Sequence, residues 1–442
     1  MKHLLWSGLA LASIALFATP SLAEDDFGCA GYEFSAALPA IEGDEGTFFR
    51  TFADLRLQHP MDQRTMSLMA QLSKTLKAGG TTLIYVTIPS KSQGMPGLLP
   101  ARAKDYGFDP AIAQIVYTDI ITRLTAAGIT APDIMTALRA AKPDERVFFG
   151  ADFHWTSTGA RLAAQAIGAE IKADPSYADL TPAQYVSTPT GVETAFSGMR
   201  RALQGFCKSA LPPTDTMTYQ TTKVEDASAG GSDVSIFADA AGTVPVVLVG
   251  TSFSDSPINN FDGFLAEFTG LEIVNYAITG GNQYGAMTSY LTSDEFHDQR
   301  PRFLIWENPI YNNLAQYGSA PLDELIAAAG SNCTKTLEVR KIDATTLSAS
   351  LDGVAFGPQD AVHVDFGAEG ARKVDFSFDT ADGITRSAKI ERSARLRATG
   401  HFYLGMGALR QLNYTTMQVH FDRPVTDDTT LSLCLNTKGD AS

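Results

Sequence analysis

Two short stretches hold residue types suited to acyl transfer: "GADFHWTSTGA", residues 150–160, and "LVGTSFSDSP", residues 248–257. Ser252 is the candidate nucleophile. It follows an apolar run, a Gly and a Thr, and precedes a helical pattern. A Ser on such a strand-to-helix turn is exposed at the carboxyl end of a sheet, with backbone N–H groups where an oxyanion could form. The positive end of the following helix favours the same charge. His154 is the candidate base and Asp152 its orienting partner, so that Ser252 gives its proton to an imidazole held by a carboxylate. Of seven His residues, only His154 stands where a strand is expected to end.

The elements that must position these residues alternate. "MDQRTMSLMAQLSKTLKAGG" predicts an amphipathic helix with a Gly stop, and "TTLIYVTIP" a buried strand. "DPAIAQIVYTDIITRLTAAG" predicts a second helix ending at Gly128. "RVFFGA" is expected to be the strand that delivers Asp152 and His154, and "TSTGARLAAQAIGAEIKA" the next helix, capped by Thr156 or Ser157. "TVPVVLVG", "LEIVNYAI" and "PRFLIWEN" are further buried strands, and "SPINNFDGFLAEFTG" a helix with Pro257 near its start. This alternation predicts an α/β fold with a parallel sheet, whose ligands bind beyond the carboxyl ends of the strands. Residues 176–243, rich in Thr, Ser, Ala, Gly and Pro, interrupt it as an excursion over the sheet. After about residue 330, short alternating runs such as "KVDFSF" and "TMQVHFD" predict an all-β sandwich or jelly roll.

With 442 residues, 44% hydrophobic and 19% charged, the chain is long enough for two domains with sizeable cores. The expected division is 1–23, 24–328 and 329–442. Residues 1–23 read as a signal peptide: Lys2 and His3 precede the run "LLWSGLALASIALFA", and small residues end at Ala23. That run is shorter than the ~20 residues of a spanning helix. The expected location is a bacterial periplasm. A net charge of −15, from 34 basic and 49 acidic residues, argues against nucleic acid as a partner. Four cysteines in an oxidising compartment allow three pairings. Cys29–Cys207 with Cys333–Cys434 is favoured because it keeps each bridge inside one proposed domain. Their wide spacing, without CxxC, argues against a zinc site, and no cofactor is implied.

"DFHWTSTGA" followed later by "GTSFS" resembles the SGNH-hydrolase-like domain of periplasmic alginate O-acetyltransferases of the AlgX/AlgJ type. The order matches: Asp152, His154 and Trp155 first, Ser252 second. The resemblance covers roughly residues 40–320. It implies an SGNH-like parallel-sheet domain followed by a β-sandwich resembling a carbohydrate-binding module, with two intradomain disulfides. It also implies an oxyanion glycine at Gly280 or Gly281 and an oxyanion amide at Asn308. Trp155 and Trp306 are expected to border the site, packing against the sheet as the simpler role and stacking on a sugar as the alternative. Where family members often carry an Arg shortly after the Trp-Glu pair, this chain has "PIYNN", which leaves the polymer open.

The resemblance implies a periplasmic O-acetyltransferase acting on an anionic exopolysaccharide, alginate or similar, through an acetyl-serine intermediate. Its expected partners are an acetyl-donating protein and export-complex proteins. Arg372, Lys373, Arg386, Lys389, Arg392, Arg395 and Arg397 of the β region supply enough positive charge for an acidic glycan, or form a solvated basic face. Two other functions fit the same residues: an O-acetylesterase, with water as acceptor, and a non-catalytic polysaccharide-binding component of an export complex.

Overall fold

A computed structural model describes residues 27–224, 244–330, 333–368 and 370–435. The expected signal peptide lies outside the described residues.

Two short strands, β1 (Ala40–Glu42) and β2 (Phe48–Arg50), form an antiparallel hairpin at the start. Helix α1 (Gln63–Ala78) follows, and the Asp62 carboxylate accepts the Thr65 N–H at its N-terminus. Strand β3 (Thr82–Ile88) leads to the short α2 (Lys91–Gly94), then α3 (Pro110–Ala126), α4 (Ile134–Arg139) and α5 (Ser157–Ala173). The excursion holds a long hairpin, β4 (Tyr185–Thr194) with β5 (Asp215–Lys223), and α6 (Gly198–Gln204) between them. The chain re-enters the sheet at β6 (Val246–Val249). The elements α7 (Ser252–Asp255), α8 (Phe261–Thr269), β7 (Ile273–Asn275), α9 (Gly285–Leu291), α10 (Asp294–Asp298), β8 (Phe303–Pro309) and α11 (Ala320–Ala329) complete this part.

The parallel sheet has the order β3-β8-β6-β7. Both faces are covered, which is why its strands are almost wholly apolar. One face packs against α1, α3, α9 and α11 through Met69, Leu76, Tyr117, Met287 and Leu325. The other packs against α4, α5 and α8 through Leu138, Ala163, Ile167 and Phe264.

Two antiparallel sheets follow. Strands β9 (Lys335–Thr336), β10 (Val339–Lys341), β11 (Thr346–Ser350), β12 (Ala361–Asp365), β13 (Lys373–Thr380), β14 (Thr385–Glu391), β15 (His401–Gly405), β16 (Tyr414–Phe421) and β17 (Thr430–Cys434) form the orders β10-β11-β16-β13-β14 and β15-β12-β17-β9. Alternate inward residues, such as Val374, Phe376 and Phe378 of β13, make their shared core. This part also closes the first core: Ala361, Tyr403 and Cys434 pack in the same cluster as Met69 and Leu325. Glu324 of α11 and Arg392 make a buried ion pair across the junction, with Arg392 Nη1 2.9 Å from Glu324 Oε2. The disulfides are Cys29–Cys207 and Cys333–Cys434, the favoured pairing.

One expected strand is absent. "RVFFGA" does not join the parallel sheet. Its backbone instead folds onto the residues that follow it: Thr156 N–H bonds Val147 O, Phe149 N–H bonds His154 O, and Phe148 pairs with Trp155 in an antiparallel bridge. Val147, Phe148 and Phe149 are buried by this turn rather than by strand pairing, so apolarity alone misled the reading. The Pro257 stretch also differs. Pro257–Asn259 forms a 3-10 turn, and Asn260, at φ +49°, separates it from α8.

Candidate active site

The turn at 147–156 carries Asp152 and His154, and several bonds fix it. Lys91, fully buried, donates from Nζ to Phe48 O and Gly150 O, both at 2.8 Å. Burial pushes its pKa down to about 7. Thr156 caps α5 by accepting the Gly159 N–H at 3.3 Å. Gly159 is required here, because a Cβ would fall 2.2 Å from Val147 O. The second turn follows β6. Thr251 is the N-cap of α7 and Ser252 its first residue.

These turns bring His154 and Ser252, 98 positions apart in sequence, together with Asp152. Ser252 Oγ lies 2.7 Å from His154 Nε2, and His154 Nδ1 lies 2.6 Å from Asp152 Oδ1. The same Oδ1 accepts the His154 N–H at 2.8 Å, and Oδ2 accepts the Ser197 hydroxyl at 2.5 Å. Burial alone would raise the Asp152 pKa, but the bonds from His154 and Ser197 outweigh it and hold the carboxyl at about 2. An ionised Asp152 only accepts, so Nδ1 carries the ring proton and Nε2 is left free to take one from Ser252. The His154 ring sits between Phe153, with centroids 4.1 Å apart, and Phe253, at 4.9 Å. Arg50 covers the outer side of Phe153 at 4.2 Å and forks onto Asp54 at 3.0 Å.

Ser252, His154 and Asp152 open on a groove of about 680 Å³, also lined by Phe196, Met199, Asn259 and Gly280. Arg395, from the loop after β14, lies against Gly280 at the groove wall: a Cβ there would be 3.2 Å from its guanidinium. No ion pair holds Arg395 among the described residues. The other basic residues of the β region are largely committed. Lys373, Lys389, Arg392 and Arg397 pair with Asp375, Glu391, Glu324 and Glu295, and Arg372 donates to Ser393 O and Leu396 O.

Of the expected oxyanion groups, Gly280 lines the groove. Gly281 does not, and its N–H is bonded to Ile278 O. Asn308 is turned away, with Nδ2 donating to Gln283 O at 3.2 Å, the same oxygen that Trp306 Nε1 reaches at 3.2 Å. The reason is the pleat: residues 306 and 308 share one face of β8, and Glu307 points to the other. Trp155 and Trp306 are both buried and do not line the groove; Trp155 packs against the sheet, and Trp306, itself in β8, packs against Tyr85 and Tyr284. Sequence reasoning missed three residues. Ser197 braces Asp152. Asn259 is 1% exposed, and its Oδ1 has no hydrogen-bond partner among the described residues. Glu307 lies beneath the nucleophile turn, and its only signal was an acid inside the apolar run "FLIWENP".

A family model described as SGNH hydrolase-like domain, acetyltransferase AlgX, matches residues 40–310. The alginate biosynthesis protein AlgX of Pseudomonas aeruginosa is 30% identical over 303 residues, covering 68% of this chain and 62% of that protein. The probable alginate O-acetylase AlgJ of the same organism is 30% identical over 275 residues, covering 60% and 68%. The solved structure of Pseudomonas aeruginosa AlgX superposes with a TM-score of 0.75 at 22% identity, over 90% of this chain and 95% of that one. The O-acetyltransferase domain of Pseudomonas putida AlgJ superposes at 0.52 with 23% identity, over 65% and 98%. These likenesses establish the fold: an SGNH-like parallel-sheet part followed by antiparallel sheets. The matched region spans 55 to 62% of the length of the AlgX relatives from Pseudomonas aeruginosa, Pseudomonas fluorescens and Azotobacter vinelandii. Because the family model spans more than half of its length, the chain belongs to the SGNH hydrolase-like acetyltransferase AlgX family.

Proposed function

We propose that the protein is an O-acetyltransferase that acetylates hydroxyl groups of an anionic exopolysaccharide, alginate or a similar polymer. The observation that carries this reading is the chain of short bonds from Ser252 Oγ through His154 to Asp152, open to a groove. In the first half-reaction Ser252 Oγ attacks the carbonyl carbon of the acetyl donor, and its proton passes to His154 Nε2. The bond to the donor's leaving oxygen breaks, and that oxygen takes the proton from His154. Acetyl-Ser252 remains. In the second half-reaction His154 removes the proton of a sugar hydroxyl, which attacks the acetyl carbon. Ser252 leaves and recovers the proton. Asp152 stays ionised throughout and stabilises the imidazolium. The Ser252 N–H at the start of α7 and Gly280 at the groove wall are suited to face the developing oxyanion.

Arg395 beside Gly280 favours a substrate with carboxylates. Two disulfides fit an oxidising compartment, so we place the protein in the periplasm, with an acetyl-donating protein and an export complex as its partners. No helix among the described residues is long and apolar enough to cross a membrane.

The test is acetylesterase activity on a chromogenic acetyl ester, with and without mannuronate oligomers, for wild type, Ser252→Ala and His154→Ala. Loss of activity in both variants and transfer of acetyl onto the oligomer is the expected result. Release of acetate alone, with no transfer, would assign an esterase. An inactive, folded wild type whose glycan binding survives in both variants would assign a binding component.

A further inference from the structure

The proposed reaction leaves one buried carboxyl group without a role. Glu307 of β8 is fully buried beneath the nucleophile turn. Its Oε2 accepts the Thr251 N–H at 2.8 Å and the Ser254 hydroxyl at 2.9 Å. The Thr251 hydroxyl lies between the two carboxylate oxygens, at 3.0 and 3.1 Å. That hydroxyl in turn accepts the Phe253 N–H at 3.3 Å. Thr251 and Ser254 are therefore bonded to this side chain directly, and Phe253 through the Thr251 hydroxyl. Gly250 completes the fit, because a Cβ there would fall 2.5 Å from Glu307 Oε2.

Three donors converge on this group, a backbone N–H and two hydroxyls. That is the partner set of a carboxylate, since a carboxylic acid would force one hydroxyl to turn around. Among the described residues no ammonium or guanidinium bonds it. Its ionisable neighbours are the phenols of Tyr311, beyond its own strand, and of Tyr85, on β3 and on the opposite face of the sheet with Trp306, both kept neutral by burial. Beyond Tyr311, Arg50 is engaged by Asp54. Burial without a cation is costly for a carboxylate and raises its pKa to about 7, even though the bonds from Thr251 and Ser254 oppose the rise.

We propose that Glu307, as a carboxylate, is the positioning residue of the nucleophile: it fixes Ser252 Oγ on His154 Nε2 and aims the Ser252 N–H at the acyl oxygen, and its protonation loosens the turn. The inference rests on Ser252 being the nucleophile. Glu307 touches no substrate and acts only through residues 251–254.

The test is the rate at which phenylmethylsulfonyl fluoride modifies Ser252 in the full chain, read by mass spectrometry between pH 5 and 9. Kinetics on an acetyl ester and the unfolding temperature are measured beside it. Glu307→Gln keeps the shape but replaces an acceptor by a donor. It is expected to slow labelling and kcat by about tenfold, with KM within about twofold of wild type. Its pH profile is expected to lose an ionisation near neutrality. Its unfolding temperature at pH 8 should be unchanged or higher, because a buried charge is gone. Ser254→Ala is a milder variant: it removes one donor that lowers the Glu307 pKa, so the acid limb is expected to move to higher pH. Wild-type labelling rates and profiles in both variants would overturn the inference and leave the Ser252 reading intact. Slower labelling with an unchanged profile and a lower unfolding temperature would overturn it in favour of packing. Wild-type protein unlabelled at Ser252 would overturn the nucleophile assignment itself.

Discussion

Trp155 Nε1 donates to Phe253 O at 2.9 Å, so the residue after His154 is bonded to the residue after Ser252. The bond is buried and stands one residue along each turn from the 2.7 Å contact between His154 and Ser252. It joins the two turns at a second point and limits how far they can slide apart. Trp155→Phe keeps a large ring against Phe253 and Phe261 but loses the donor, leaving a buried carbonyl unpaired. It is expected to cost about 1–3 kcal/mol in chemical denaturation. It should also lower kcat by about tenfold with little change in KM. Unchanged kcat would mean that Lys91 and Thr156 suffice to place the base.

Ser197 and Asp152 define a pH prediction. The folded carboxyl is held at about 2, below its ordinary 3.8, so the stability it contributes is complete above the ordinary value and is lost as pH falls through about 2. Ser197→Ala removes one of the bonds that hold it there. Acid unfolding followed by circular dichroism is expected to begin at higher pH in the variant, with stability near pH 7 reduced by about 1 kcal/mol. An acid transition that does not move would mean that His154 alone sets the Asp152 charge.

The Glu324–Arg392 pair is nearly buried on both sides, with about 10% of each side chain exposed. Removing one member strands the other charge. Arg392→Met is expected to cost about 3–5 kcal/mol, and the double variant with Glu324→Leu less than the sum. A double-mutant cycle on urea midpoints reads this directly. A purely additive cycle would show that the pair contributes no coupling across the junction.

Arg395 lies against Gly280 of the groove wall and has no ion pair among the described residues. Arg395→Ala is expected to raise KM for an anionic oligomer by about tenfold, leave kcat for a small neutral acetyl ester unchanged, and weaken the salt dependence of oligomer binding. Equal effects on both substrates would remove Arg395 from substrate recognition.

Much of this was legible before the fold was known, and the successes and failures have physical causes. Thr156, expected as an N-cap with Ser157 as the alternative, announced its helix because a side-chain oxygen there satisfies an orphan N–H group. Ser252 and His154 stood out because both precede helices at points where chain turns must be exposed. The 147–149 run failed because a buried loop and a buried strand look alike when only apolarity is read. The resemblance implies an oxyanion amide at Asn308 near the end of β8, whereas the two-residue pleat sends this side chain to the face opposite Glu307. Ser197 and Asn259 reach the site from separate segments, and no local pattern marks such convergence.

The first hydrophobic core takes residues from both halves of the molecule, with Ala361, Tyr403 and Cys434 packed among Met69, Met287 and Leu325. A core held in common makes the melting of one half the melting of the other. The chain should unfold in a single calorimetric transition rather than two, and a fragment ending near residue 330 would expose a sticky apolar face. Cooperative unfolding of this kind couples the turns that carry His154 and Ser252 to strands far from them, so damage to the antiparallel sheets would loosen the Ser252–His154 contact at a distance.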